Sequence, residues 1–340
     1  MIDDILNFVD PYWWLIIGVV KAVLIAIGLL TVVSPLVWLE RRLMGRFQVR
    51  LGPNRVGPFG LGQPVVDVVK LLFKENIVQS SADKFLFYLA PAIVVFTAIV
   101  TFSAIPFGEP FEVGGQTVGL WGANLNVGIL FVFAISSMGI YGMVLAGFSS
   151  NNKYSLMGGL RSSAQMISYE LTLGLVALSV VIMSGSLNLY DIVKSQSDWP
   201  YVFSMFPAFV LFFIAGVAET NRAPFDLPEA EQELIAGFFT EYSGMKFAMF
   251  FLAEYINMIT MSALITILFL GGWHSYIGLD IPILVFAFKV FLLLCVFIWL
   301  RSTFPRIRYD RLMSFGWKIL LPLSLLNMMA YSVYKVLIAG

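Results

Sequence analysis

Residues 207–250 read PAFVLFFIAGVAETNRAPFDLPEAEQELIAGFFTEYSGMKFAMF: an apolar run, a carboxylate-rich break, and the start of a second apolar run. The break at 219–241 holds six acids, Glu219, Asp226, Glu229, Glu231, Glu233 and Glu241, against one cation, Arg222. Its flanks extend over 201–219 and 243–270, each close to the roughly 20 apolar residues that a spanning helix needs. Two spans joined by an acidic hinge make this a membrane chain. Acids near membrane depth are costly and crowding them is unfavourable, so their concentration points to proton handling or docking.

The rest of the chain follows the same pattern. It is 59% hydrophobic and 12% charged, whereas a soluble domain carries roughly a quarter charged residues. Spans are expected at 12–38, 84–105, 126–148, 162–184, 201–219, 243–270, 282–301 and 315–338, giving an all-α polytopic membrane protein of eight transmembrane helices. Residues 1–340 form one transmembrane domain, with inner loops at 39–83, 149–161, 219–242 and 302–314. Sixteen Lys and Arg fall in one set of connections and two, Lys194 and Lys335, in the opposite set with both termini. Basic loops face inward, so both termini lie outside. Asp3, Asp4 and Asp10 stand where a signal peptide would be basic.

Several function classes are excluded. Net charge is zero, so no bulk field favours nucleic acid. The one cysteine, Cys295, forms neither an internal disulfide nor an iron–sulfur site, and the one histidine, His274, rules out a bis-histidine haem. No phosphate-binding loop, zinc spacing, dinucleotide fingerprint or Ser/His/Asp arrangement appears. The absence of an internal repeat weighs against transporter folds built from two related halves.

The first inner loop is dense in glycine and proline across 46–64 and is expected to be ordered but not helical. Pro64 then opens a short amphipathic helix, where its missing N–H costs little. Val65, Val68, Val69, Leu72 and Phe73 share one face and Asp67, Lys70 and Lys74 the other, so this helix is expected to lie in the membrane interface.

Charges inside the spans divide by depth. Lys318 and Lys335 lie near helix ends and snorkel; Lys21 and Lys289 sit deeper, where snorkelling and a partnered role are equally open. Glu170 and Glu254 have no snorkelling stem and read as functional acids, against the alternative of neutral, hydrogen-bonded structural ones. Arg161, Gln165, Ser168 and Thr172 form one stripe of their helix and Glu170 lies opposite, so both faces should be covered by protein or water. In the acidic break, Asp226-Leu227-Pro228-Glu229 resembles a helix start, which accounts for Glu229 and Glu231 near the positive end of a helix dipole. It does not account for Glu233 one turn after Glu229. Proton handling, docking to a basic partner, and a solvated acidic loop remain open at this point.

Four blocks resemble one family, the membrane H subunits of proton-pumping NADH:quinone oxidoreductase (respiratory complex I), to which mitochondrial NADH dehydrogenase subunit 1 belongs. They are ERRLMGRFQVRLGPNRVGPFGLGQPVVDVVKLLFKE at 40–75, SNNKYSLMGGLRSSAQMISYE at 150–170, AETNRAPFDLPEAEQELIAGFFTEYSGMKF at 218–247 and RSTFPRIRYDRLMSFGWKILLP at 301–322. Phe148 and Arg311 depart from the family's usual tryptophan and glutamine. The resemblance implies a subunit at the heel of an L-shaped complex acting on ubiquinone or menaquinone; a bacterial inner membrane is the expected location, with an organellar inner membrane the alternative. It implies no metal, flavin or iron–sulfur cluster in this chain and NAD bound only by a partner. The partners implied are hydrophilic quinone-site and iron–sulfur subunits, small membrane and antiporter-like subunits, and lipid, with no nucleic acid. Residue by residue, it places Glu40 and Arg41 at the start of the first inner loop near the quinone tunnel. Glu219, Glu229, Glu231, Glu233 and Glu241 fall in the acidic loop beside the quinone chamber, and Glu170 and Glu254 among membrane acids leading away from it. Arg222 and Asp226 are expected to hold the loop's shape. The rival readings are a homologous membrane component of a hydrogenase-type complex, an autonomous ion transporter, and a purely structural anchor.

Overall fold

Residues 13–113, 116–226, 236–276, 278 and 281–339 are described by a computed structural model. The chain is a helical bundle of α1 (Trp13–Phe47), α2 (Gln63–Phe73), α3 (Lys84–Ser103), α4 (Gly128–Ser149), α5 (Lys153–Ser184), α6 (Leu189–Lys194), α7 (Tyr201–Ser204), α8 (Phe206–Glu219), α9 (Met245–Phe269), α10 (Pro282–Thr303), α11 (Tyr309–Phe315) and α12 (Leu321–Ala339). A small antiparallel hairpin pairs Phe111 with Val118 between α3 and α4. Among the described residues, seven helices are long and apolar enough to cross a membrane.

Local chemistry sets the helix starts. The Asp83 carboxylate accepts from the backbone N–H groups of Phe85 and Leu86 at the head of α3. Asn152 does the same for Tyr154 at the head of α5, and Asn188 for Tyr190 at the head of α6. These caps satisfy amide groups that have no partner inside the helix. Gly185 ends α5 in the left-handed conformation that glycine adopts without strain.

The helices differ from the sequence expectation in where they begin and end. α1 continues past residue 38 to Phe47, so the segment expected as the start of the first inner loop is helical through Glu40 and Arg41. Its last turn carries Arg46, a cation at the negative end of the helix dipole. At ~1.5 Å per residue its 35 residues span roughly 52 Å, well beyond the ~30 Å of a hydrocarbon core. The expected inner loop 149–161 is mostly helix as well, because the Asn152 cap starts α5 at Lys153. The fifth expected span, 201–219, is broken at Met205 into α7 and the 14-residue α8, with Pro207 in the first turn of α8. The short helix expected at 65–74 is present as α2, with Pro64 in its first turn. Its apolar face is exposed at Val65, Val68, Val69, Leu72 and Phe73. The helix start expected at Pro228 lies outside the described residues.

α9 is the central post. It packs against α1, α3, α8 and α10 and is the most deeply buried of the long helices among the described residues, whereas α1 is peripheral. α5 forms the second axis, packed against α4, α8 and α12. Glycines permit the closest approaches: a Cβ on Gly158 of α5 would stand 2.6 Å from the Gly237 Cα. The turn at Gly237–Phe239, which leads into α9, is therefore seated directly on α5. The site lies where α1, α9 and α10 converge on the turn that follows α8.

Backbone cannot yield as a side chain does, so Gly158→Ala is expected to cost about 1–3 kcal/mol through overpacking. Gly174→Ala on the same helix meets nothing within 4 Å and should be neutral or slightly stabilising. Thermal unfolding of the two variants in detergent checks the difference.

Candidate functional site

A turn at residues 220–226 follows the C-terminal end of α8 and aims a guanidinium into the protein. Arg222 is 3% exposed. Its Nη1 lies 2.9 Å from Oε1 of Glu40 on α1, and its Nε lies 2.6 Å from Oε1 of Glu254 on α9. Arg301, in the last turn of α10, also pairs with Glu40. The Arg222 guanidinium sits 4.5 Å from the centre of the Tyr255 ring. Two cations thus face two carboxylates, each supplied by a different element. Burial works against the charged guanidinium, but Glu254 and Glu40 outweigh it and hold Arg222 well above its ordinary pKa. It stays charged at any physiological pH.

The turn is gripped from outside too. Arg306 binds Asp226 at 2.9 Å, and the backbone N–H of Ile307 donates to the Pro224 carbonyl. Asn221 adopts φ 51°, a left-handed conformation that asparagine tolerates better than most residues.

Beside this cluster lies an internal cavity of about 70 Å³, bordered by Glu219, Glu254, Asn257, Thr97, Thr101 and Thr260. At about 10–15 Å³ per water it has room for on the order of five. It runs between α3, α4, α5 and α9. Glu219 is 8% exposed, and neither carboxyl oxygen has a hydrogen-bond partner among the described residues. The rest of the wall is mainly apolar, with Phe133, Met143, Leu173 and Met261 among it, so water held by the polar positions is the natural partner of the buried carboxyl. Glu170 is close enough to act on Glu219 electrostatically, and it accepts a hydrogen bond from the Ser137 hydroxyl. On the opposite side of α5, Trp317 donates to Ser168 at 3.0 Å, so protein covers both polar faces of that helix.

A model of the NADH dehydrogenase family matches residues 20–332. The chain belongs to the NADH dehydrogenase family. It is 50% identical over 312 residues to an NADH-quinone oxidoreductase H subunit of Syntrophobacter fumaroxidans, covering 92% of this chain and 93% of that protein. It is 53% identical over 320 residues to NADH-quinone oxidoreductase subunit 8 of Thermus thermophilus, covering 94% and 86%. It is 49% identical over 330 residues to the NADH-quinone oxidoreductase H subunit of Paramagnetospirillum magneticum, covering 96% and 94%.

In this NADH dehydrogenase family member, the residues singled out from the sequence fall into three groups. Glu40, Arg222 and Glu254 form one ionic cluster, with Glu219 beside the adjoining cavity and Glu170 behind it. Glu254, read from the sequence as a membrane acid apart from the loop, is an ion-pair partner of the loop's arginine. Arg41 and Glu241 lie elsewhere. Arg41 turns away from Glu40 to pair with Asp67 of α2 at 2.5 Å, and Glu241 accepts from the Asn152 side chain at 2.7 Å. Glu229, Glu231 and Glu233 lie outside the described residues. Sequence reasoning missed Arg301, Tyr255 and Asn257, because nothing in the spacing of α9 or α10 shows which face meets α1. Lys289, left open between snorkelling and partnership, caps α9: its ammonium donates to the Leu270, Gly272 and His274 carbonyls. Tyr242, next to Glu241, stacks on Phe87 at 4.1 Å, and burial lifts its hydroxyl to a pKa of about 12, so it remains a neutral donor.

Removing Arg222 leaves the buried Glu40 and the partly buried Glu254 without a full complement of cations. Arg222→Met is expected to cost about 3–5 kcal/mol. Adding Glu254→Gln should recover part of that loss, because the remaining Glu40 still has Arg301. A double-mutant cycle on thermal stability in detergent measures the coupling.

Proposed function

We propose that this chain is the membrane H subunit of a proton-translocating NADH:quinone oxidoreductase. The supporting observation is the charged Arg222 turn, which joins an ionic cluster to a largely apolar cavity whose wall carries Glu219, Glu254, Asn257 and several threonines. About half-identity to proteins named as this subunit, over nearly the whole chain, supports the same reading.

In this proposal the chain crosses a bacterial inner membrane eight times, with α7 and α8 together making the fifth crossing and both termini outside. Hydrophilic quinone-site and iron–sulfur subunits dock on the inner face, small membrane and antiporter-like subunits pack alongside, and NAD is bound by a partner. Ubiquinone or menaquinone is reduced next to the 219–241 segment. Glu40, Arg41, Arg222 and Asp226 belong to the quinone tunnel or its loop. Glu170, Glu219, Glu229, Glu231, Glu233, Glu241 and Glu254 handle protons.

The geometry supplies a way for the two to be coupled. Arg222 is shared between Glu40 and Glu254, while Glu40 has a second cation in Arg301. A change of charge near the inner ends of α1 and α10 alters how strongly Glu40 holds Arg222. The guanidinium then neutralises Glu254 more or less fully. Glu254 borders the cavity, so its proton affinity and that of Glu219 shift with the position of one cation. A proton taken up or released there has polar groups and room for water to move through. Glu170, repelling Glu219 from α5, is the next carboxyl to respond.

The test is the assembled complex in liposomes. Glu219→Gln and Glu254→Gln are each expected to lower quinone-linked proton pumping by about tenfold or more, since one positioned proton-transfer group contributes about 10²–10⁴ at most. Wild-type pumping and quinone reduction in both variants would sink the proposal. Ion flux from the purified chain alone would favour an autonomous transporter instead.

A further inference from the structure

The turn that carries Glu219 and Arg222 is closed by one side chain. Gln165 of α5 is fully buried at 0% exposure. Its Nε2 donates to the Ala218 carbonyl at 2.9 Å and to the Phe225 carbonyl at 2.8 Å. Ala218 lies in the last turn of α8, and Phe225 lies past Arg222 where the chain leaves the turn. A single amide therefore uses both its N–H groups to tie the entry and exit of the turn together. Glu219 is one residue inside the first anchor and Arg222 three residues before the second.

The same helix carries Glu170, five residues after Gln165, or roughly 7.5 Å along α5 at ~1.5 Å per residue. The position of Glu219 relative to Glu170 is thus fixed through one rigid element and one hydrogen-bonded clamp. The Phe225 ring also packs on the Tyr169 ring at 5.9 Å, one turn along α5 from Gln165. A glutamine is suited to this task. Its amide offers two donors in one plane and carries no charge of its own to disturb the neighbouring acids.

We infer that Gln165 is a positioning residue for proton coupling: it sets the register of Glu219 and Arg222 against Glu170 and Glu254 without touching quinone. This rests on the function proposed above. Packing alone would be served by any side chain of similar volume; positioning requires the two N–H donors.

The test uses Gln165→Met, which keeps length and bulk but has no donor, and Gln165→Glu, which keeps shape and replaces the amide donors with acceptors. Both are made in the intact complex beside Glu219→Gln. Two quantities are read: hydrogen exchange of the backbone amides at 219–226, and protons moved per NADH oxidised. The second is a ratio, unaffected by how much complex folds. Expected in both variants are exchange faster by about tenfold across the turn and a loss of protons per NADH. Unchanged exchange overturns the inference whatever the function. Faster exchange with a wild-type ratio also overturns it, provided Glu219→Gln lowers the ratio. If Glu219→Gln leaves both pumping and the ratio untouched, it is the proposed function that fails.

Discussion

A guanidinium held between two carboxylates out of water constrains the rest of this structure. Burying an isolated charge is prohibitive, and burying a pair is tolerable only when geometry and charge balance are good. Arg222 meets that condition because Glu40 comes from α1, Glu254 from α9, and Arg301 on α10 supplies the second cation. Three spans and one turn must therefore converge at one depth. The break between α7 and α8 at Met205, the extension of α1 to Phe47 and the close seating of the 237–239 turn on α5 are all compatible with that convergence.

The cluster also explains why the site is rigid on one side and adaptable on the other. Arg306 and Ile307 hold the turn at Asp226 and Pro224, and the ionic cluster holds it at Arg222. The cavity side has no such grip: Glu219 borders open space and finds no protein donor among the described residues. Glu219 is thus a buried carboxyl beside room for water, with Glu170 as its charged neighbour.

Much of the site was legible in the sequence because membrane depth makes charge conspicuous. Glu170, Glu219, Arg222 and Glu254 stood out for that reason alone. The sequence misplaced their relations. Glu40 and Arg41 are neighbours in sequence but point into different contacts, since adjacent residues on a helix are about 100° apart. Glu254 read as a station in the membrane because no periodicity reveals that it faces a cation from another segment. Arg301 looked like one more inward-facing positive charge. Helix ends were misjudged for a related reason: hydropathy falls where the membrane ends, whereas the backbone helix continues as long as its hydrogen bonds and caps allow.

The sequence by itself determined the class of the protein, because hydrocarbon forces every spanning segment to be apolar and helical and leaves a count of rare charges behind. It determined the family as well, through blocks too specific to arise from hydropathy. Only the tertiary structure decided which of those charges are partners, that one glutamine closes the turn, and that a cavity adjoins Glu219. Those facts depend on how helices far apart in sequence rotate and cross. An apolar face on α1, α9 or α10 is compatible with many rotations, and burying Arg222 with its counter-charges singles one of them out.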